Sequence, residues 1–519
     1  MKISNLISYV ITSTLLLNMF PITATSAGPQ KKIKIHGYVT NILSPNSFEI
    51  EDYKIMKDQE FVLEFENQGT DVSFNLEDIR IGTEIEVQGM INPETGELKA
   101  KKITVDLDQF RKLQNTSVLN AAPIGIQRVG NGWSGILKAD GRRIRLDPTA
   151  TKVLFEMTKE EKKGQEKAAK ELASKKKESK DANATTQTSP ETKVDGIAPN
   201  GDEVSETEPL RDISQIKPGM YMTYEGREDL GGVVNAEQII FRRNELEKGE
   251  LSFWKSLSLS VKASDYSSGK PGELKINKLG KYKLLPNQAV QDYVTNLGNK
   301  LIPAFQKNLP ISDPSKINFR FFVVINKEPN AFALANGTIV VHSGMITLLE
   351  NEAQLAAVLS HEMAHSTQEH SWRAINKDKG KRTALQIGAI AASAFGWGGV
   401  SDILNLTINA MVNGYSRRLE NQADRIGLEY LVASGYDPRE APKVWKVMAN
   451  TLGDSPTNFF YSSHDSHSTR RSFLMVEIRN NYSGLDVNSM KRDSSVDYKS
   501  IVTLTNEAVS KKKKIKVQS

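Results

Sequence analysis

Residues 358–370 read VLSHEMAHSTQEH, with two histidines four positions apart and a glutamate directly after the first. The run before them, AQLAAV (353–358), holds strong helix formers and no glycine or proline. Asn351, with Gln354 three residues on, makes a helix start of the capping-box kind. Glu352 puts a negative charge in the first turn, where the helix dipole favours it. On such a helix His361 and His365 lie one turn apart on one face. Two imidazoles at that spacing can bind one ion, and Glu362 beside them can act on a water there. The plain alternative is a helix that happens to carry histidines.

A hydrolytic metal site needs a third protein ligand and an open position. His370 is five residues past His365. If the helix continues it lies on a different face, and no glycine turn precedes it, so a surface histidine is expected. YSRRLENQADRIGLEYLVASGYDP (415–438) is the better source. It reads as a second helix stopped by Gly435 and Pro438, with Glu420, Asp424, Gly427 and Leu431 in one stripe. Glu420 can complete a His, His, Glu set. Asp424, one turn on, can accept a ring N–H from a ligand histidine. Gly427 lets the two helices approach closely. Taken alone, this helix reads equally as a charged, exposed stripe.

Composition narrows the chemistry. The chain has 519 residues and no cysteine. That length suggests about two to four domains. Disulfides, thiolate catalysis and cysteine-bound metals are excluded, so a metal must be held by histidine and carboxylate. Six of the seven histidines fall between His342 and His467. The net charge of +6 is small for the length, and no nucleic-acid partner is expected. Residues 1–27 hold an apolar run ending at Phe20, then Pro21 and small residues. This reads as an export signal cleaved near Ala27, too short to span a bilayer. A periplasmic or secreted location follows.

Residues 33–107 alternate short β-rich runs with Asn, Pro and Gly turns, the pattern of a small barrel. Residues 76–105 run parallel in pattern to 213–241, and 35–52 to 133–147. We read two copies of one β-module, at 33–107 and 128–245. Both resemble OB-like modules, which would offer a surface for an envelope protein or glycan partner. A spacer or docking role is the alternative. Residues 158–209 carry Lys, Glu, Ser and Thr with almost no large apolar side chain, and are expected to be a disordered insertion. Long helices with one strand region follow over 251–482, then a basic tail, 483–519.

The segment 275–482 resembles the HtpX-like zinc metallopeptidases, the family that includes the CAAX prenyl proteases and periplasmic proteases of outer-membrane quality control. NAFALANGTIVVHSGMITLLENEAQLAAVLSHEMAH (330–365) and SRRLENQAD (416–424) carry the resemblance. It implies a mainly helical zincin domain of the gluzincin type. One Zn²⁺ is held by His361, His365 and Glu420, and Glu362 is the general base. SSHDSHSTRRSF (462–473) matches a late histidine with an arginine six residues on, giving His464 and Arg470. His467 is a second candidate, and Asp465 stands where the family has proline. The strand GTIVVHSG (337–344) is expected at a sheet edge, where Thr338, Ile339, Val340 and Val341 would pair with an extended substrate. TALQIGAIAASAFGWGGV (383–400) is apolar and rich in Ala and Gly. It reads as a packed core helix, a cover over the site, or a peripheral membrane contact.

The expectation is an exported zinc endopeptidase whose polypeptide substrates are misfolded or stalled envelope proteins. The alternative is a latent peptidase acting mainly as a chaperone-like or partner-binding protein through its β-modules.

Overall fold

The computed structural model describes residues 31–67, 74–157, 160–164, 166–168, 171, 207–229, 231–243, 248–277, 279–377, 415–452, 467–493 and 496–517. The export-signal residues, segment 383–400, His464 and most of the charged insertion lie outside them. Within that insertion, 160–164 and 166–168 are helical.

The first β-module is a six-stranded sheet. Its strands are β1 (Lys31–Tyr38), β2 (Asn41–Ser44), β3 (Ser47–Ile50), β4 (Tyr53–Glu66), β5 (Glu84–Ile91) and β6 (Glu97–Asp106), in the order β1-β5-β6-β4-β3-β2. Along β5 every second side chain is buried, the period expected when one sheet face covers a core. Ile55, Val87, Leu98 and Ile103 form its centre. β4 and β6 run parallel, and β5 and β6 form an antiparallel hairpin.

The second module repeats this plan. Its strands are β7 (Leu113–Val118), β8 (Ile126–Val129), β9 (Gly132–Ala139), β10 (Arg142–Leu146), β11 (Lys152–Glu156), β12 (Thr207–Pro209), β13 (Tyr221–Glu228) and β14 (Val233–Arg242). β13 and β14 are the counterparts of β5 and β6. Both hairpins carry a bulge, at Gln88/Gly89 and Glu225/Gly226. At both bulges a Cβ would strike a facing carbonyl oxygen, at 2.0 Å for Gly89 and 2.3 Å for Gly226. The kink therefore requires glycine in each copy. The second module starts earlier than the expected residue 128. β7 pairs with β13 as β1 pairs with β5, so Leu113–Val118 belongs to it.

The remaining described chain holds two three-stranded sheets and ten helices. β15 (Leu259–Lys262), β16 (Glu273–Ile276) and β17 (Gly280–Lys283) form one sheet; β18 (Arg320–Val324), β19 (Ala331–Ala333) and β20 (Thr338–His342) form the other. The helices are α1 (Lys248–Ser256), α2 (Gln288–Leu301), α3 (Ala304–Asn308), α4 (Ser343–Leu348), α5 (Glu352–Thr367), α6 (His370–Lys377), α7 (Arg417–Ala433), α8 (Glu440–Leu452), α9 (His467–Tyr482) and α10 (Tyr498–Val517). None of the described helices is long and apolar enough to cross a membrane.

Two expectations are corrected here. Thr338, Ile339, Val340 and Val341 are not on an edge. β20 is the central strand, parallel to β18 on one side and antiparallel to β19 on the other, and all its side chains are buried. Its main chain is already paired, so it cannot take a substrate strand. The C-terminal segment is not all tail. α10 buries Tyr498, Ile501, Thr505 and Ala508, and the Tyr498 hydroxyl donates to the Ile346 carbonyl at 2.9 Å. The lysine run that suggested a solvated tail lies past these buried residues.

Both modules clasp the helical domain. In the first, the Tyr38 N–H donates to Ser472 Oγ (2.9 Å), and Arg471 pairs with Glu51 (3.0 Å) and Asp52 (2.9 Å). These contacts fall on α9. In the second, Arg425 of α7 donates to Asp140 (3.1 Å), and the amide of Gln368, at the end of α5, engages the backbone of Val118. Glu477 of α9 is buried near Arg425 and Arg142. Burial lifts its pKa from the ordinary 4.5 to about 7, outweighing the pull of the two arginines.

Two outcomes follow. A Cβ at Gly427 would lie 3.1 Å from both N and Cα of His361, where α7 crosses α5. Gly427→Val is expected to destabilise the fold by about 1–3 kcal/mol in urea titrations. The raised Glu477 pKa gives stability that is present below the free glutamate value and lost as pH rises through about 7. Glu477→Gln should therefore raise the melting temperature at pH 8 and leave it nearly unchanged at pH 4.

Candidate metal centre

α5 is fixed at its N-terminus before it presents its histidines. The Asn351 side chain accepts from Gln354 N (2.9 Å), the cap read from the sequence. The Gln354 side chain reaches back to Glu350 N (2.9 Å), one residue earlier than in a standard capping box. Glu352 is buried and accepts from the hydroxyls of Tyr293 and Tyr436, each at 2.6 Å. Its N–H donates to Asp493 (3.0 Å), which ties the segment before α10 to the helix start.

The helix stops at Gln368. Glu369 has a φ of 55°, and its carboxylate accepts from the Tyr221 hydroxyl of β13 at 2.5 Å. That left-handed residue turns the chain, so His370 begins α6 rather than extending α5. His370 is wholly buried, not a surface residue. Its Nδ1 meets His365 Nδ1 at 2.9 Å and its Nε2 meets Gln422 Oε1 at 3.0 Å.

α7 crosses α5 at Gly427 and places Glu420 opposite both histidines. His361 Nε2 and His365 Nε2 are 3.0 Å apart. Glu420 Oε2 lies 3.4 Å from the former and Oε1 3.7 Å from the latter. The three side chains can each offer a ligand atom to one ion, and all three are buried. Behind them, Asp424 Oδ1 is 3.0 Å from His361 Nδ1. With that nitrogen donating to Asp424, Nε2 keeps its lone pair for a metal. Arg470 of α9 sits under the site, bonding Asp424 through Nε (2.9 Å) and Glu420 through Nη1 (3.1 Å). Its guanidinium lies 3.8 Å from the centre of the Trp445 ring.

The electrostatics favour a cation. Glu362, Glu420 and Asp424 are buried carboxylates facing one buried guanidinium, Arg470. Three carboxylates outnumber the one guanidinium, an excess of acidic groups that a bound cation would balance. Burial and the Arg470 charge push His361 down, but the Asp424 and Glu420 carboxylates outweigh them and hold it at about 9. Burial pushes Asp424 up, and the Arg470 and His361 contacts override it and hold it low. Burial and the nearby Arg373 drive His370 down to about 3, so its ring is neutral. The donor set of two imidazoles and a carboxylate fits zinc.

Of the residues singled out in the sequence, His361, Glu362, His365, Glu420, Asp424 and Arg470 come together. Thr338–Val341 do not offer an edge. His464 lies outside the described residues, as does the side chain of His467. Two participants, Gln422 and Tyr415, escaped the sequence reading, and a third, His370, was expected at the surface. The Tyr415 ring stacks on His365, with centroids 4.3 Å apart and planes at 21°. The available signals were a histidine five residues past His365 and an amide two residues past Glu420.

Residues 289–477 match the model for Peptidase family M48. The "Beta-barrel assembly-enhancing protease" of Escherichia coli (strain K12) is 31% identical over 170 residues, covering 31% of this chain and 33% of the relative. "Mitochondrial metalloendopeptidase OMA1" of Schizosaccharomyces pombe is 26% identical over 200 residues, covering 36% of this chain and 58% of the relative. The counterpart in Arabidopsis thaliana is 32% identical over 156 residues, covering 29% of this chain and 30% of the relative. The chain thus spans about a third of the length of the bacterial relative. The residues matched by the family model, 289–477, include both site helices and the start of the Arg470 helix. Residues 289–477 are a peptidase family M48 domain.

Proposed function

We propose that the chain is a zinc endopeptidase of the gluzincin type, exported to the periplasm or beyond, that cleaves misfolded or stalled envelope proteins. The convergence of His361, His365 and Glu420, with Glu362 next to the first histidine, carries this reading. One Zn²⁺ per chain would be held by those three residues. Bound there, zinc supplies a Lewis acid that acidifies water and polarises a carbonyl. Glu362 accepts the proton of the attacking water and delivers it to the leaving amine. Asp424 keeps the His361 ring oriented. Arg470 holds Glu420 and Asp424 in place from beneath. His464, which its position six residues before Arg470 matches to the family's late histidine, is assigned to the oxyanion from that resemblance.

The substrate strand is assigned to β19 (Ala331–Ala333), which pairs with β20 alone among the described residues. The relatives' printed names support proteolysis, and the "beta-barrel assembly" of the bacterial name supports an envelope setting. Export rests on the apolar run ahead of Ala27. We also infer that both β-modules are OB-like. The β2-β3-β4 meander, the parallel β4·β6 pair and the closing β1·β5 pair support that topology.

Metal analysis of the purified chain should return one zinc per molecule. His361→Ala, His365→Ala and Glu420→Ala should each lose it. Glu362→Gln should keep its zinc and cleave an unfolded polypeptide about 10²–10⁴-fold more slowly. Chelation should abolish cleavage and zinc should restore it. Cleavage persisting in a zinc-free chain would sink the proposal. Full rescue of a deletion strain by Glu362→Gln would instead favour a chaperone-like role through the β-modules.

A further inference from the structure

The tip of the β9–β10 hairpin is Asp140-Gly141, both at positive φ (59° and 63°), as a two-residue hairpin turn demands. Turn tips ordinarily face water. Asp140 is only 2% exposed. Its own module anchors it, through the Tyr224 hydroxyl (2.6 Å) and Asn115 Nδ2 (2.7 Å), both donating to Oδ2. The other carboxylate oxygen, Oδ1, accepts from Gln422 Nε2 of α7. The same Nε2 also donates to the Thr116 carbonyl of β7 at 3.0 Å.

Those two acceptors use both hydrogens of the Gln422 amide, so its orientation is fixed. The amide oxygen must face the other way, where it meets Arg373 Nη1 (2.7 Å) and His370 Nε2 (3.0 Å). Reversing the amide would set its NH₂ against the Arg373 cation and its oxygen against the Asp140 carboxylate. An amide oxygen can only accept, so His370 Nε2 carries the ring hydrogen. His370 Nδ1 is then an acceptor, and it takes the hydrogen of His365 Nδ1 at 2.9 Å. His365 is left with its Nε2 lone pair directed at the point where His361 Nε2 and Glu420 converge.

We propose that the second β-module is a working part of the metal centre: Asp140 and the Thr116 carbonyl, acting through Gln422 and His370, hold His365 in the tautomer that turns Nε2 to the metal. Asp140, Gln422 and His370 are positioning residues; none touches the ligand site itself. This inference rests on the metal reading of the site.

The test uses the full-length chain and zinc alone, with affinity measured by competition against a fluorescent chelator. Asp140→Asn suits the purpose, because Asn tolerates the positive φ. The donors on Oδ2 pin its carbonyl there and turn its NH₂ toward Gln422, reversing the polarity at that contact. Asp140→Asn and His370→Phe should each weaken zinc binding about 10–100-fold. The double variant should be no weaker than the weaker single, because both cut one chain of bonds. His370→Asn returns an acceptor to the Nδ1 position and should stay within about threefold of the wild type. Asn120→Ala removes different contacts of this module with α7, its 2.8 Å bond to Glu429 and the 3.0 Å bond it accepts from the Tyr430 hydroxyl, and should also stay within about threefold.

Nitrogen-15 spectra of histidine-labelled, zinc-loaded protein give a second readout. They should place the hydrogen on Nδ1 of His365 and Nε2 of His370, and this stands even if a variant fails to fold. Unchanged affinity in Asp140→Asn, an equal loss in Asn120→Ala, or the hydrogen on His370 Nδ1 would each overturn the proposal. A wild-type chain that takes up no zinc would overturn the metal reading itself, and this inference with it.

Discussion

The crossing of α5 and α7 at Gly427 is the constraint on which the rest depends. With no side chain there, the backbone of α7 lies against His361 itself. Only that approach lets a carboxylate as short as Glu420 reach two imidazoles on the neighbouring helix. It also brings Asp424 to the back of His361 and opens room beneath for Arg470. Burying so many charged groups together is costly unless each is paired. Arg470 meets part of that condition, bridging two carboxylates and stacked on Trp445. These contacts fix the orientation of the site's side chains, as positioning a reactive water requires.

The two β-modules hold this crossing from outside, at different helices. The first grips α9 on both sides of Arg470, through Thr469, Arg471 and Ser472. The second grips α7 at Gln422 and Arg425, and the end of α5 at Gln368. Every helix that contributes a charged group to the site is thus braced by a sheet. The side chains at these junctions are largely polar and buried, so each needs its specific partner. A loosely tethered binding domain would show the opposite, a sparse and solvated boundary.

Much of the centre was legible in the sequence because the chemistry lies in short local spacings. His361, Glu362 and His365 share one helix, so period alone sets their geometry. Glu420, Asp424 and Gly427 share another, and the glycine announces the close crossing. What could not be read depends on breaks and on partners far along the chain. His370 looked like a continuation of α5 because nothing local marks the turn at Glu369. That turn is secured by Tyr221, 148 residues away. β20 was expected at an edge from the family resemblance, and its neighbours are short strands with no strong pattern of their own to correct that. The buried face of α10 was masked by the lysines that follow it. Leu113–Val118 was missed as a strand because its polar residues, Asn115 and Ser117, are buried against the helical domain rather than exposed.

The repeated bulge carries a consequence about descent. Gly89 and Gly226 kink equivalent hairpins for the same steric reason, whereas the docking side chains of the two modules differ. Each copy presents its first strand and a hairpin tip, but with different side chains: His36 to Tyr38 with Glu51 and Asp52 in one, Thr116 to Val118 with Asp140 in the other. After a duplication, positions that make the barrel remain under shared selection, while positions that meet the helices become private to each copy. Substitutions at the bulge glycines should be refused equally in both. Exchanging one module for the other would preserve two sound barrels and leave neither of them able to find its helix.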